Sequence, residues 1–124
     1  MDLVKFPAAA GTYCLLLGLK DPAQIQIGRL GTFAFPAGPY LYLGSAMGPG
    51  GLAGRLHHHL STPKRPHWHI DYLLTHRDVR VNQVQRSSKE ECVWNQTTSG
   101  KIIVPGFGAS DCRAGCGSHL KLVG

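Results

Sequence analysis

Four short extended runs, each closed by a turn signal, fill the first third of the chain and constrain its fold most. Residues 11–20 (Gly11-Thr12-Tyr13-Cys14-Leu15-Leu16-Leu17 and on) stop at Asp21-Pro22. Ile25-Gln26-Ile27 and Thr32-Phe33-Ala34-Phe35 alternate apolar with polar or small residues around Leu30-Gly31, the pattern of a hairpin over 25–35. Pro36 to Pro39 then turns the chain into Tyr40-Leu41-Tyr42-Leu43-Gly44. Consecutive short strands of this kind imply a mostly antiparallel meander.

Helix and strand mix in the remainder of the chain. Ser45-Ala46-Met47-Gly48-Pro49-Gly50-Gly51 is a glycine-rich loop opening a helix over about 51–60, which Ser61-Thr62-Pro63 ends. Residues 64–78 are basic and rich in histidine, and the spacing of Ile70, Leu73 and Leu74 favours a short helix there. Val79-Arg80-Val81-Asn82-Gln83-Val84 is a fifth strand, and a helix is expected over 89–97 with Ser87 or Ser88 as its cap. Lys101-Ile102-Ile103-Val104 is a last short strand, before a loop over 106–117 and a terminal stretch over 118–123. The expected architecture is a small α+β domain, a mostly antiparallel sheet flanked by two or three helices. At 124 residues the chain fits one domain, 1–124, with room for a real core.

Charge and cysteine usage narrow the setting. Thirteen Lys and Arg against seven Asp and Glu give a net charge of +6, a surplus that suits nucleic acid and equally serves plain solubility. The three alanines at 8–10 precede the apolar stretch instead of closing it, which is the wrong order for a secretory leader. The apolar run 13–19 is too short to span a bilayer. A cytoplasmic protein with no membrane partner is expected. Four cysteines (14, 92, 112 and 116) are too few for a dense disulfide framework, and Cys14 fits a strand core.

Chemistry gathers around the first and fourth strands. Tyr13 and Leu15 share one strand face, as do Tyr40 and Tyr42, because side chains alternate. On the next helix Arg55 and His59 stand four residues apart and line up one above the other. A strand entering a helix through a glycine-rich turn brings together a phenol, free amides and a cation, a set suited to phosphate. Each part also has an ordinary reading: strand tyrosines pack in cores, and a helical Arg is commonly solvated.

Gly11-Thr12-Tyr13, Tyr42-Leu43-Gly44 and the Arg55/His59 pair together resemble the GIY-YIG nuclease superfamily. The whole chain resembles more narrowly its DUF123 branch, a domain sometimes fused to DNA repair enzymes. The phrases carrying the narrower likeness are Phe35-Pro36-Ala37-Gly38, Gly48-Pro49-Gly50-Gly51-Leu52, His67-Trp68-His69-Ile70-Asp71-Tyr72-Leu73-Leu74 and Pro105-Gly106-Phe107-Gly108-Ala109-Ser110-Asp111-Cys112.

The resemblance implies a metal-dependent endonuclease cutting nucleic acid, DNA favoured over RNA. Tyr13 would activate the attacking water, Tyr42 orient the same site, Arg55 offset charge on the scissile phosphate and His59 assist proton transfer. A glutamate on a later helix would hold Mg2+ (or Mn2+); Glu91 is favoured over Glu90 because the branch places Glu directly before the residue matching Cys92. DNA repair proteins are the partners it implies. By spacing alone, helix capping boxes (Ser88 with Glu91, Ser87 with Glu90) come ahead of metal binding for these glutamates, and the resemblance reverses that order. The chain departs from the superfamily in Thr12, in Leu43 and in the hairpin inserted between the two tyrosine motifs. That insertion leaves room for a second reading, a module that binds nucleic acid without cutting it.

Two further clusters stand out. Lys64, Arg65, His67 and Trp68 suit a nucleic-acid backbone, or form a solvated linker anchored by the indole. Cys112, Cys116 and His119, with His67 or His69 as a fourth ligand, could take zinc, although paired ligands are usually spaced more tightly. A packed loop with an ordinary thiol or a disulfide is the simpler alternative.

Overall fold

The computed structural model of the protein describes residues 11–46, 51, 52, 54, 56, 69–87, 99–107 and 118–123. Its strands are β1 (Gly11–Leu19), β2 (Ala23–Ile27), β3 (Gly31–Phe35), β4 (Gly38–Ala46), β5 (Val79–Ser87) and β6 (Leu120–Leu122), with helix α1 (His69–Leu74) before β5. One 3-10 turn, Gly28–Leu30, joins β2 to β3. Residues 51, 52, 54 and 56 are also helical, within the expected 51–60 span. The helix expected over 89–97 lies outside the described residues.

A four-stranded sheet in the order β5-β1-β4-β6 forms the body, with every pairing antiparallel. β1 runs through its centre, and its sequence explains why. Tyr13, Leu15, Leu17 and Leu19 bury one face, while Thr12 and Cys14 are buried on the other. A strand apolar on both faces belongs between neighbours and under cover on both sides. β5, at the edge, is one-sided: Val79, Val81 and Val84 pack on the core while Arg80, Gln83 and Gln85 are exposed.

Val81 and Val84 stand three residues apart and would point to opposite faces of a regular strand. A bulge resolves the conflict. Leu16 pairs with Gln83 but Leu17 pairs with Val81, so Asn82 is the extra residue and both valines reach the core face.

The pairing corrects the expected meander. β1 pairs with β4 along its whole length, from Gly11 opposite Ala46 to Leu19 opposite Gly38. β2 and β3 pair only with each other, as a separate two-stranded sheet. Two nine-residue strands offer each other a longer ladder than either five-residue hairpin strand could. The hairpin turns its own apolar side (Ile25, Ile27 and Phe35) into the same core and leaves Gln24, Gln26 and Thr32 exposed.

The strand expected over 101–104 is also corrected. Lys101 makes a single bridge to Leu122, after which the chain bends. Gly106 takes φ +82, Phe107 N–H donates to Val104 O at 3.2 Å, and both Val104 and Phe107 are buried. A turn that buries two apolar side chains so close in sequence replaces the extended ladder. The terminal stretch supplies the sheet's last strand instead, β6.

The core lies on the Tyr13 face of β1. Leu52 and Leu56, four residues apart on the helical segment, are buried in it together with Ile70 and Leu73 of α1. A methyl group added at Gly11 would come 2.8 Å from Cδ1 of Leu52. The helical segment thus packs at the N-terminal end of β1, two residues from Tyr13.

Candidate functional site

Tyr13 sits in the middle of a row crossing three strands, with Gly44 of β4 on one side and Arg86 of β5 on the other. Residues directly opposite in an antiparallel pair point to the same face, so all three belong to the core side of the sheet. Gly44 is a steric requirement here. A Cβ at that position would stand 2.5 Å from Cζ of Tyr13 and closer still to its hydroxyl oxygen. The Tyr13 ring therefore lies across β4 in the space that the missing side chain leaves.

Tyr42, two residues before Gly44, shares that face, and its ring centroid is 6.4 Å from that of Tyr13 at an interplanar angle of 50°. The aromatic series continues through Phe107, edge-on to Tyr42 at 5.9 Å and 80°, to His69, whose ring lies 5.7 Å from Phe107. Offset and edge-to-face pairs at these separations are the favoured arrangements of aromatic quadrupoles. Backbone bonds fix the series to the sheet: Leu43 N–H donates to His119 O at 3.0 Å, and His119 N–H donates to Phe107 O at 2.8 Å.

Tyr13 is fully buried and Tyr42 is 6% exposed. The two phenols lie side by side, inside the molecule and away from open solvent. Tyr40, on the same face, has a different job. Its hydroxyl donates to Pro36 O at 2.6 Å and its ring packs edge-on against Phe35, bracing the turn into β4. Burial pushes its phenol up to about 12, so it stays neutral.

His69 opens α1 half-buried, and desolvation holds its imidazole below the ordinary value of 6.5. A neutral ring against Phe107 is the result at pH 7. Cys14 lies on the opposite face of β1; burial pushes its thiol up to about 11, which suppresses the reactive thiolate.

Of the other residues singled out from sequence, Arg55, His59, Glu90 and Glu91 lie outside the described residues. So do Lys64, Arg65, His67 and Trp68, and Cys112 and Cys116. The described members of the zinc set, His119 and His69, both adjoin Phe107: His119 through its backbone, His69 through its ring. Among the described residues no three metal-ligating side chains cluster. Sequence reasoning missed Phe107 and Arg86. Phe107 was readable only as part of a phrase, and Arg86 as one more charge on a strand, because the partner of a strand residue is set by register.

The family model described as Domain of unknown function DUF123 matches residues 12–124. The chain belongs to this family. The match starts one residue before Tyr13 and runs through both tyrosine strands, so the β2–β3 hairpin between them lies within the DUF123 domain. No curated protein and no solved structure matches the chain. Among the described residues of this DUF123 protein, no helix is long and apolar enough to cross a membrane.

Proposed function

We propose that this DUF123 domain is a GIY-YIG-type endonuclease that hydrolyses phosphodiester bonds in DNA. One observation carries the reading: Tyr13 is seated over Gly44 and beside Tyr42. The first tyrosine motif and the second thus make one local structure, in which the glycine of Tyr42-Leu43-Gly44 makes room for the phenol of Gly11-Thr12-Tyr13. The helical segment packs at the same end of β1 through Leu52.

In this reading Tyr13 takes the proton of the attacking water either as a phenolate stabilised by Arg55 and the metal or while passing its own hydroxyl proton on to His59, and Tyr42 holds the water in orientation. Arg55 offsets the charge that builds on the non-bridging phosphate oxygens, and His59 assists proton transfer. Glu91 would hold Mg2+ or Mn2+, which supplies a second positive charge at the phosphate. Two or three helices flanking the sheet, a cytoplasmic location and DNA repair proteins as partners belong to the same proposal. Because Tyr13 is enclosed, a phosphate reaches its hydroxyl only after neighbouring side chains move aside.

That enclosure is also what favours a second reading, a module that holds nucleic acid without cutting it. A fully buried phenol is well accounted for as packing. Nicking assays with Mg2+ or Mn2+ on branched, single-stranded and plasmid DNA separate the two. Tyr13→Phe, Arg55→Ala and Glu91→Ala each abolish cleavage in the first reading. Salt-dependent binding without any cleavage by the wild type establishes the second.

A further inference from the structure

We infer that Arg86 is a phosphate-positioning residue of this site, gripping the nucleic-acid backbone beside Tyr13. The inference rests on the reading that this surface meets nucleic acid, but not on whether it cuts. The row Arg86–Tyr13–Gly44 crosses β5, β1 and β4, so the arginine flanks Tyr13 on the same side of the sheet, across from Gly44. Cβ atoms of such opposed pairs stand roughly 5 Å apart; the Tyr13 ring leans away over Gly44, so the arginine rises from the β5 side of the row, where a long side chain can meet a phosphate approaching the same face.

Among the described strands β5 lies at one edge of the sheet, and Arg86 is exposed although Tyr13 opposite it is buried. A guanidinium at the rim of a closed site can meet a phosphate before the interior opens. Its planar fork suits two phosphate oxygens at once.

Arg80 is a built-in control. It lies on the same strand and is also exposed, but pairs with Gly18 and so points to the opposite face. Its guanidinium already donates to Arg77 O at 2.7 Å. The two arginines carry the same charge and differ in the face they serve.

The test compares wild type, Arg86→Ala, Arg86→Gln, Arg86→Lys and Arg80→Ala, all as full-length chains. Binding to a duplex and to a single-stranded oligonucleotide is titrated across salt concentrations. Loss of one phosphate contact lowers the slope of log affinity against log salt by roughly 0.9 on duplex or 0.7 on single strands. Arg86→Ala and Arg86→Gln show that loss with affinity down roughly tenfold, whereas Arg86→Lys retains the slope and Arg80→Ala matches wild type. Where the wild type cuts, Arg86→Ala raises KM more than it lowers kcat.

An unchanged slope in Arg86→Gln overturns the inference, and so does an equal loss in Arg80→Ala, which would mark a general charge effect. Absence of any binding by the wild type overturns it too. Binding without cleavage, with the slope still falling in Arg86→Gln, sinks the nuclease reading and leaves Arg86 in place.

Discussion

A methyl group at position 44 has nowhere to go. The atom it would meet first belongs to the Tyr13 side chain, which is fully buried and cannot swing into solvent. Gly44→Ala is therefore expected to lower stability by about 1–3 kcal/mol, the range for overpacking a filled core, and to displace the phenol. Thermal melting checks the first effect, and a change in tyrosine near-UV dichroism the second. Tyr13→Phe keeps the ring, removes only the hydroxyl and is expected to cost about 0.5–3 kcal/mol. On the other face, Cys14 has its thiol pushed from 9.0 to about 11. It should resist alkylation at pH 8 in the folded protein and react once the chain is unfolded. The sign of its pH dependence comes from linkage. Above pH 9 the unfolded chain loses a thiol proton that the folded chain keeps, so stability falls as pH rises towards 11, and Tyr40 extends the loss towards 12. Denaturant titrations at pH 8 and pH 11 measure it; equal stability at both would contradict the burial of these groups.

The β2–β3 hairpin is built into the core. Ile27 is fully buried and Phe35 nearly so, while Gly28 at the turn takes φ +48 under the Tyr72 side chain of α1. Ile27→Ala is expected to cost about 2–5 kcal/mol, read from chemical denaturation; a loss below ~1 kcal/mol would mark the hairpin as a loosely attached flap. Much at this scale was legible in the sequence. Turn signals located β1 to β4, and Ile70, Leu73 and Leu74 located α1, because periodicity reports which face is apolar. Periodicity does not report partners. The pairing of β1 with β4 and the exclusion of the hairpin from the main sheet stem from ladder length, a property of two distant segments together. The bulge at Asn82 was hidden for a related reason: valines three residues apart look irregular until Leu15 and Leu17 show which positions they oppose. Lys101 to Val104 has strand-forming residues, yet burial of Val104 and Phe107 through the Gly106 turn outweighs them. In the candidate site, Tyr13 and Tyr42 were readable as motifs, whereas the seating over Gly44 and the neighbour Arg86 depend on register alone.

At the scale of the molecule, the sheet presents two different faces. One gathers the phenols, the helical segment and Arg86; the other, along β5, is a polar row with Arg80, Gln83 and Gln85. A net charge of +6 favours a polyanionic partner for the chain as a whole, so binding should weaken steeply between roughly 50 and 200 mM salt. Charge attracts the partner but does not break a bond. The proposed activity resides in the buried Tyr13–Tyr42–Gly44 arrangement. Its most direct measurement is nicking of supercoiled plasmid by wild type and by Tyr13→Phe in Mg2+ or Mn2+, with both proteins shown to be folded and to bind DNA equally. Nicking by the wild type and none by Tyr13→Phe is the expected result; equal nicking by both, or none by either, would contradict the claim.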